Sequence, residues 1–356
     1  MWPCPRGGGH GHALHTRVNL TLPIYLLRRL AMLVPQLLAV SFVAFVLIRL
    51  LPGNPAELIL GPQRTDASVA QLEQEMGLDK PIPEQYWLYL KDIAHGDLGR
   101  SFFTGSDVRT DLVDRFPATL ELLGYAMLVA LIVGTSMGAI SAMMGNRGWF
   151  VGATNIYSRL AGALPDFWIA LIAIYLFYYV LGIFPAPLGR LDGDIVEPQQ
   201  ITGFLTVDSL LQGDLAAFSS AAAHLALPVL VLGLVVAPMI GRITNRAMTD
   251  ILRADHIRFA HACGLRRRTV YRYALRNALP PVLTVLGVLF VFLLGGAVLI
   301  EKVFSWGGIG QYATNAVIND DYAPLQGFVL VAAAFTMIVY LVVDVLHMAL
   351  DPRVKL

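Results

Sequence analysis

Apolar residues run almost unbroken through six stretches of the chain: Leu30–Leu51, Ala118–Met144, Gly152–Phe184, Leu225–Gly241, Pro281–Ile300 and Gln326–Leu350. At 1.5 Å of rise per residue, about twenty residues cover a hydrocarbon core of roughly 30 Å. The pattern therefore predicts six transmembrane helices in an all-α integral membrane fold. The fourth stretch is short and flanked by Pro228 and Pro238, so its helix is expected to be the least extended. Between the first and second stretches lie some sixty-five polar and mixed residues, too many for a plain connector.

Composition agrees with this reading and excludes a soluble globule, since 56% of residues are hydrophobic and 14% are charged. A net charge of +1 says little; the position of the charges says more. Arg6, Arg17, Arg28 and Arg29 precede the first span with no acidic residue, and nine arginines against Asp250 and Asp255 separate the fourth from the fifth. The long loop after the first span holds eleven acidic and six basic residues, and the loop after the third sets five acidic residues against Arg190. Arginine-rich segments stay in the cytoplasm, so both termini are expected inside and both acidic loops outside. Residues 1–24 read as a disordered Gly/His-rich tail, in which His10, His12 and His15 are at most a weak metal grip. No apolar run marks a cleaved leader, and the first span is expected to direct insertion itself.

The nine-arginine segment contains "HIRFAHACGLRRRTVYRYALRNALPP", with six arginines and no acid. Its spacing predicts a helix over Ile251–Cys263 with Phe259 and Ala260 on one side, a stop at Gly264, and a second helix ending at Pro280–Pro281. Arg268, Arg272 and Arg276 recur every fourth residue along one face, and Tyr271, Leu275 and Leu279 form an apolar stripe beside Ala274 and Ala278. Three readings fit an arm of this kind. Anionic lipid would account for the charge, at about 1 kcal/mol per basic residue near the surface, but would not need the glycine or the apolar stripe. Nucleic acid is disfavoured, because no aromatic stacking platform accompanies the arginines. Docking of a cytoplasmic partner accounts for an apolar knob rimmed by arginine.

Outside the membrane, "ASVAQLEQEMGLDKPIPEQYWLYL" predicts a helix stopping near Gly77 and another after Pro83 whose Tyr86, Trp87, Tyr89 and Leu90 form an aromatic band. Such a band suits either a cap resting on the bilayer or a docking platform. Within the spans, ionised groups are costly and mark function or internal pairing. Asp166 follows Pro165, which breaks the local hydrogen-bond ladder of the third span, and is the candidate to face a pathway and attract a cationic group; pairing with neighbouring helices or hydroxyls is the alternative. Glu121 is expected at the outer interface. Asp344 and His347 share one face of the last span, a spacing that suits a proton relay or a structural role.

No Gly-x-x-x-x-Gly-Lys-Ser/Thr phosphate cradle occurs, so any nucleotide energy must come from another subunit. An ion-coupled secondary transporter would be expected to carry internal repeats and broken helices at midplane, and no convincing repeat relates the two halves. An intramembrane enzyme would need paired catalytic groups, and Asp166 and Asp344 lie in separate spans.

Taken with "RLLPGNPAEL", "MGLDKPIPEQYWLYL", "HGDLGRSF", "GGAVLIEKVFSWGGIGQY" and "LVVDVLHMALDPRV", the arm resembles the permease subunits of binding-protein-dependent ABC importers. The branch is the one that carries dipeptides, oligopeptides, glutathione or nickel, and the likeness covers about residues 25–356. It implies the ABC transporter type-1 permease fold with six transmembrane helices and a long extracytoplasmic loop after the first. The implied layout is a cytoplasmic tail at 1–24, the first helix with its periplasmic loop at 25–116, a five-helix transmembrane domain at 117–350 with a coupling loop at 242–279, and a cytoplasmic tail at 351–356. It also implies a bacterial inner-membrane location, a second homologous permease, one or two ABC ATPase subunits that use the ATP, and a periplasmic or lipid-anchored substrate-binding protein. No cofactor or metal is expected in this chain, and its other contacts are membrane lipids, not nucleic acid. The family loop reads Glu-Ala-Ala, three variable residues, then Gly; here the matching positions are Arg258, Phe259, Ala260 and Gly264, so one alanine and the glycine survive. The peptide branch usually has Thr, Arg and Lys where this chain has Phe259, His261 and Cys263, and the step from Gly264 to "ALRN" is one residue short. Trp87, Asp97, Gly99, Trp306 and Gly307 are the outer residues expected to meet the binding protein. Di- or oligopeptides are the implied cargo, with nickel, glutathione or opines as alternatives.

Overall fold

A computed structural model describes residues 15–49, 55–60, 65–75, 77 and 79–350. Its regular elements are helices: α1 (His15–Arg49), α2 (Pro55–Leu60), α3 (Asp66–Glu75), α4 (Ile82–Ala94), α5 (Val108–Met143), α6 (Trp149–Ala163), α7 (Asp166–Ala173), α8 (Leu205–Leu211), α9 (Leu215–Arg253), α10 (Asp255–Ala262), α11 (Arg267–Val303), α12 (Ile309–Ile318) and α13 (Tyr322–Leu350). Because α1 begins at His15, residues 15–24 of the expected disordered tail are helical. Residues 1–14 and 351–356 lie outside the described residues. The domain boundary expected at 116/117 falls inside α5.

Five described helices are long and apolar enough to cross a membrane: α1 through Leu27–Val46, α5, α9, α11 and α13. The third span, expected over Gly152–Phe184 with a local break at Pro165, is more than a locally disturbed helix. It is a broken pair, α6 and α7, the latter continuing as a π-helical turn over Ile174–Val180, with a bend of 110° between the halves. Pro165 causes the break: it lacks an N–H and forces Leu164 into extended backbone (φ −105°, ψ 141°).

The fourth span corrects the opposite expectation. Rather than a short segment, α9 runs for 39 residues with Pro228 and Pro238 inside it. Pro238 deprives the Leu234 carbonyl of its helical donor, and the Tyr157 hydroxyl of α6 donates to that carbonyl instead. Neighbouring helices commonly rescue an intramembrane proline in this way.

Small residues set the closest packing. Gly134 and Gly138 of α5 face Ala237 and Gly241 of α9, and Gly233 of α9 faces Ala126 and Val129 of α5. A Cβ on Gly134 would stand 2.6 Å from the Ala237 carbonyl oxygen, and one on Gly233 would stand 2.8 Å from that of Ala126. Four-residue spacing of small residues on both partners lets the backbones touch. Around this seam, buried side chains of α5, α7, α9 and α11 form the main core, including Leu122, Leu123, Leu232, Leu293 and Ile300. A smaller cluster toward the arginine arm joins Ala139, Ala142, Met248, Ala274 and Ala278. At the other end, Val108, Leu112, Ile309 and Tyr312 unite α5 with α12.

Helix α1 lies against α13, where Arg29 pairs with Asp344 at 2.8 Å. That ion pair gives Asp344 a structural partner in place of a relay; the His347 side chain lies outside the described residues. Farther along α1, Tyr86 of α4 donates to the Leu38 carbonyl at 3.0 Å and lies 2.9 Å from the Ser41 hydroxyl. Its ring meets Phe42 and Phe45, and Tyr89 also meets Phe45. Two members of the expected aromatic band therefore bind a transmembrane helix, while Trp87 remains 68% exposed.

Candidate functional site

The arginine arm departs from its expected shape at both ends. Helix α9 ends at Arg253, Ala254 turns into extended backbone (φ −67°, ψ 149°), and the separate eight-residue α10 follows. Gly264 stops α10 with φ +79°, a left-handed conformation that glycine adopts without strain. Beyond it, α11 passes straight through Pro280 and Pro281 without ending there. The expected coupling loop of 242–279 is thus mostly helix, with irregular backbone confined to Ala254 and the turn 263–266.

One face of the arm is bound to the bundle. Ile257, Val270, Ala274 and Ala278 are buried. Tyr271 and Leu275, expected in an outward apolar stripe, pack against the Met248 cluster instead, and only Leu279 of that stripe is exposed. The other face is open. Phe259 is 71% exposed, and Leu265 and Cys263 are exposed beside it. Arg258, Arg268, Arg272 and Arg276 all stand in solvent, Ala260 is half-buried, and Arg258 makes a 3.3 Å surface pair with Asp255. The arrangement is an apolar knob rimmed by cations, held on a buried apolar footing.

The far end of the molecule is built differently. Glu121, expected at an interface, is buried; Arg190 reaches it at 2.6 Å, and the Thr206 N–H and hydroxyl donate to its other oxygen at 2.8 and 2.5 Å. Glu301 is fully buried and accepts from the Thr119 hydroxyl at 2.6 Å and the Gln311 N–H at 3.0 Å. The glycine-rich "SWGGIGQY" wraps this carboxylate: a Cβ on Gly308 would stand 2.6 Å from its oxygen, and one on Gly310 would stand 3.0 Å away. Trp306 is 2% exposed, donates its indole N–H to the Ala118 carbonyl at 2.9 Å, and lies under the Arg190 guanidinium. Trp306 therefore does not offer an outward docking surface, and Gly307 is a half-buried turn residue with φ +80°.

Asp97 and Gly99 serve a local turn. Asp97 Oδ1 accepts from the Gly99 N–H at 2.8 Å, and Gly99, at φ +82°, has its Cβ position 3.3 Å from Ala323 of α13. Ser101 ties the same turn to buried Asp321 at 2.5 Å. In the loop before α8, Asp208 accepts from the Thr202 hydroxyl and from the N–H groups of Ile201, Thr202 and Gly203. Burial alone would raise the Asp208 carboxyl, but these donors outweigh it and hold it below the usual carboxylate range.

Asp166 opens α7 immediately after the 110° break and is half-buried. Its carboxylate lies against α11, with Oδ2 2.7 Å from where a Cβ of Gly296 would be. Among the described residues, no side chain gives it a hydrogen bond or an ion pair. The Glu121–Arg190 pairing and the buried Glu301 site escaped the sequence reading, although two acids inside apolar helices were a signal that internal partners were required.

Comparison with known proteins adds three consistent findings. The family described as "binding-protein-dependent transport system inner membrane component" matches residues 134–356, and its companion N-terminal region matches residues 22–123. A dipeptide transport system permease protein of Alkalihalophilus pseudofirmus is 39% identical over 332 residues, covering 93% of this chain and 99% of that protein. A di/tripeptide transport system permease protein of Pseudomonas aeruginosa is 42% identical over 336 residues (93% and 98%), and a glutathione transport system permease protein of Pectobacterium atrosepticum is 34% identical over 334 residues (93% and 98%).

Proposed function

Because the chain belongs to the family of binding-protein-dependent transport system inner membrane components, we propose that it forms half of the membrane path for di- or oligopeptides, the other half being a second, related permease. The membership makes the chain a permease subunit of the inner membrane and not itself an enzyme. Peptide cargo draws on the names of the most similar relatives, and the glutathione permease among them keeps a glutathione-like tripeptide as the second reading. Uptake is powered by ATPase subunits on the cytoplasmic side, where both termini lie, and the external binding protein docks on the acidic loops, with Trp87 as its exposed aromatic contact.

One observation carries the coupling role of the arm: Phe259 is a large apolar side chain left in water on a short helix anchored by buried Ile257, on an arm whose Arg258, Arg268, Arg272 and Arg276 are all exposed and, among the described residues, pair with no acid but Asp255. Such a side chain is an anchor for a groove in a partner. Closure of the ATPase pair would push α10, and through it the bundle, between two states. Asp166 is the pathway group for a peptide ammonium, since an ionised carboxylate at this depth with no internal partner is favourable only beside water or a cation.

Uptake of a labelled dipeptide by vesicles holding the full importer tests the cargo. The free dipeptide should be taken up, while inorganic nickel should neither compete nor accumulate; saturable nickel uptake would overturn the reading. Asp166→Asn should raise KM for the free dipeptide about tenfold, the size of a lost charge-assisted bond, without changing uptake of the N-acetylated form. Equal KM for both substrates would remove Asp166 from the path.

A further inference from the structure

A second concavity lies away from the arm's open face and from Asp166. Between the arm-side ends of α5, α6 and α9, a cavity of about 310 Å³ is lined by Ser141, Thr154, Asn155, Ser158, Arg242 and Asn245. Its donors divide into two sets. Asn245 is engaged, giving its amide N–H to Asn146 at 2.7 Å and to the Gly138 carbonyl at 3.3 Å, and Ser158 and Thr154 donate to carbonyls of their own helix. The side chains of Arg242, Asn155 and Ser141 make no hydrogen bond or ion pair with the described residues. Ser141 is only 6% exposed, so its hydroxyl meets the cavity and little else. No acidic residue lines the space. The site therefore offers a guanidinium, an amide and a hydroxyl to an oxyanion, and nothing to a cation.

This polar cavity continues into an apolar groove of about 400 Å³. Met137 and Thr154 line both, and the groove follows α5 and α6 toward the membrane centre past Ile140, Phe150, Ile132 and Tyr157. At the arm-side rim, Trp149 is 82% exposed, as an indole at the headgroup level would be. A free oxyanion or a peptide carboxylate would use the cavity and leave the groove empty. A molecule with an anionic head and a hydrocarbon tail uses both. We infer that the α5–α6–α9 notch is a binding site for one anionic phospholipid, with its phosphate on Arg242, Asn155 and Ser141 and an acyl chain between α5 and α6. Zwitterionic lipids are discriminated against because their ammonium finds no carboxylate there. Basic pockets between helices at the cytoplasmic interface suit such headgroups, and the site goes beyond the transport reading because it requires no particular cargo.

The test uses the full importer complex, exchanged into phosphatidylcholine vesicles with and without phosphatidylglycerol and read by native mass spectrometry. The wild-type complex should retain phosphatidylglycerol in preference to phosphatidylcholine. Arg242→Gln should lower that retention about fivefold, as expected for one basic residue near the surface, while Arg242→Lys keeps most of it. Ile132→Trp, which fills the groove without touching the charge, should also lower retention. Thermal unfolding of each variant complex identifies loss by misfolding, and Arg242→Lys with Ile132→Trp then carries the comparison. Equal retention in wild type and Arg242→Gln, or no preference for phosphatidylglycerol, would overturn the site. Displacement of the retained lipid by dipeptide would reassign the cavity to a substrate carboxylate and overturn it equally.

Discussion

Glu121, Glu301, Asp208 and Asp321, at the outer end of the bundle, are each at most 2% exposed, and each accepts hydrogen bonds from its own chain. On the arm, Arg258, Arg268, Arg272 and Arg276 stand in solvent around a Phe259 that touches little of the protein. Both ends are rich in charge, but they handle it in opposite ways. At the Glu121 end, the carboxylates are consumed in fastening the loops 181–214 and 304–312 to the end of α5. At the arm end, charge and apolar surface are left over. A region that satisfies its own carboxylates is finished as a fold, whereas one that leaves charge and apolar surface in solvent is built for a partner. The difference explains why Trp306 and Phe259, both aromatic and both adjacent to arginine, have unrelated roles.

The contrast is broken most severely by altering the unfinished end. Ala260→Glu places a carboxylate beside Phe259, and Gly264→Pro demands a φ near −65° where the chain needs +79°. Either change should cut ATP-driven peptide uptake more than about thirtyfold, the effect of losing a central interface anchor. Basal ATPase activity and membrane insertion should persist. Unchanged uptake with unchanged stimulation of ATPase activity by the loaded binding protein would show that the open face is not used.

At the finished end the penalty should fall on stability. Glu121→Ala leaves the Arg190 guanidinium buried without its carboxylate and should cost about 3 to 5 kcal/mol, seen as a lowered unfolding temperature of the purified complex. Glu121→Ala combined with Arg190→Ala should recover part of that loss, because the stranded charge is gone. Identical losses for the single and double variants would mean that the pair is not coupled.

The smallest expected effect is a pH dependence in the 201–208 turn. Asp208 has a folded pKa below its unfolded value, so its contribution is complete above the ordinary carboxylate range near pH 4 and is lost as pH falls through the depressed folded value. Limited proteolysis should find the turn protected at neutral pH and progressively cut in acid. Asp208→Asn should be cut at neutral pH as well, with little further change on acidification.

Much of this was legible in the sequence, and the failures have identifiable causes. Apolar run length located all six spans because the bilayer imposes it, and the arginine excess located the arm. Run length is blind to direction, however, so Pro165 marked a local break but the continuous apolar stretch around it gave no sign of a 110° turn. The prolines of α9 misled in the other direction, since nothing local announces that Tyr157 of another helix will satisfy the Leu234 carbonyl. The Gly-rich segment after α11 was expected to meet the binding protein through Trp306 and Gly307, because only its proximity to Glu301 reveals why it must lack side chains. On the arm, four-residue spacing correctly separated the arginine face, but it could not tell whether Tyr271 and Leu275 faced a partner or the protein's own Met248.

The glycine seam between α5 and α9 has a mechanical consequence. At 1.5 Å per residue, these helices of 36 and 39 residues each extend more than about 50 Å, and backbone contact leaves no compressible layer of side chains between them. They act as a single beam, with the Glu121 clasp bolted to one end and α10 to the other. A nudge delivered at Ala254 would arrive at the opposite rim nearly undiminished, and a methyl group added at Gly134 or Gly138 would pry the beam into two independent rods.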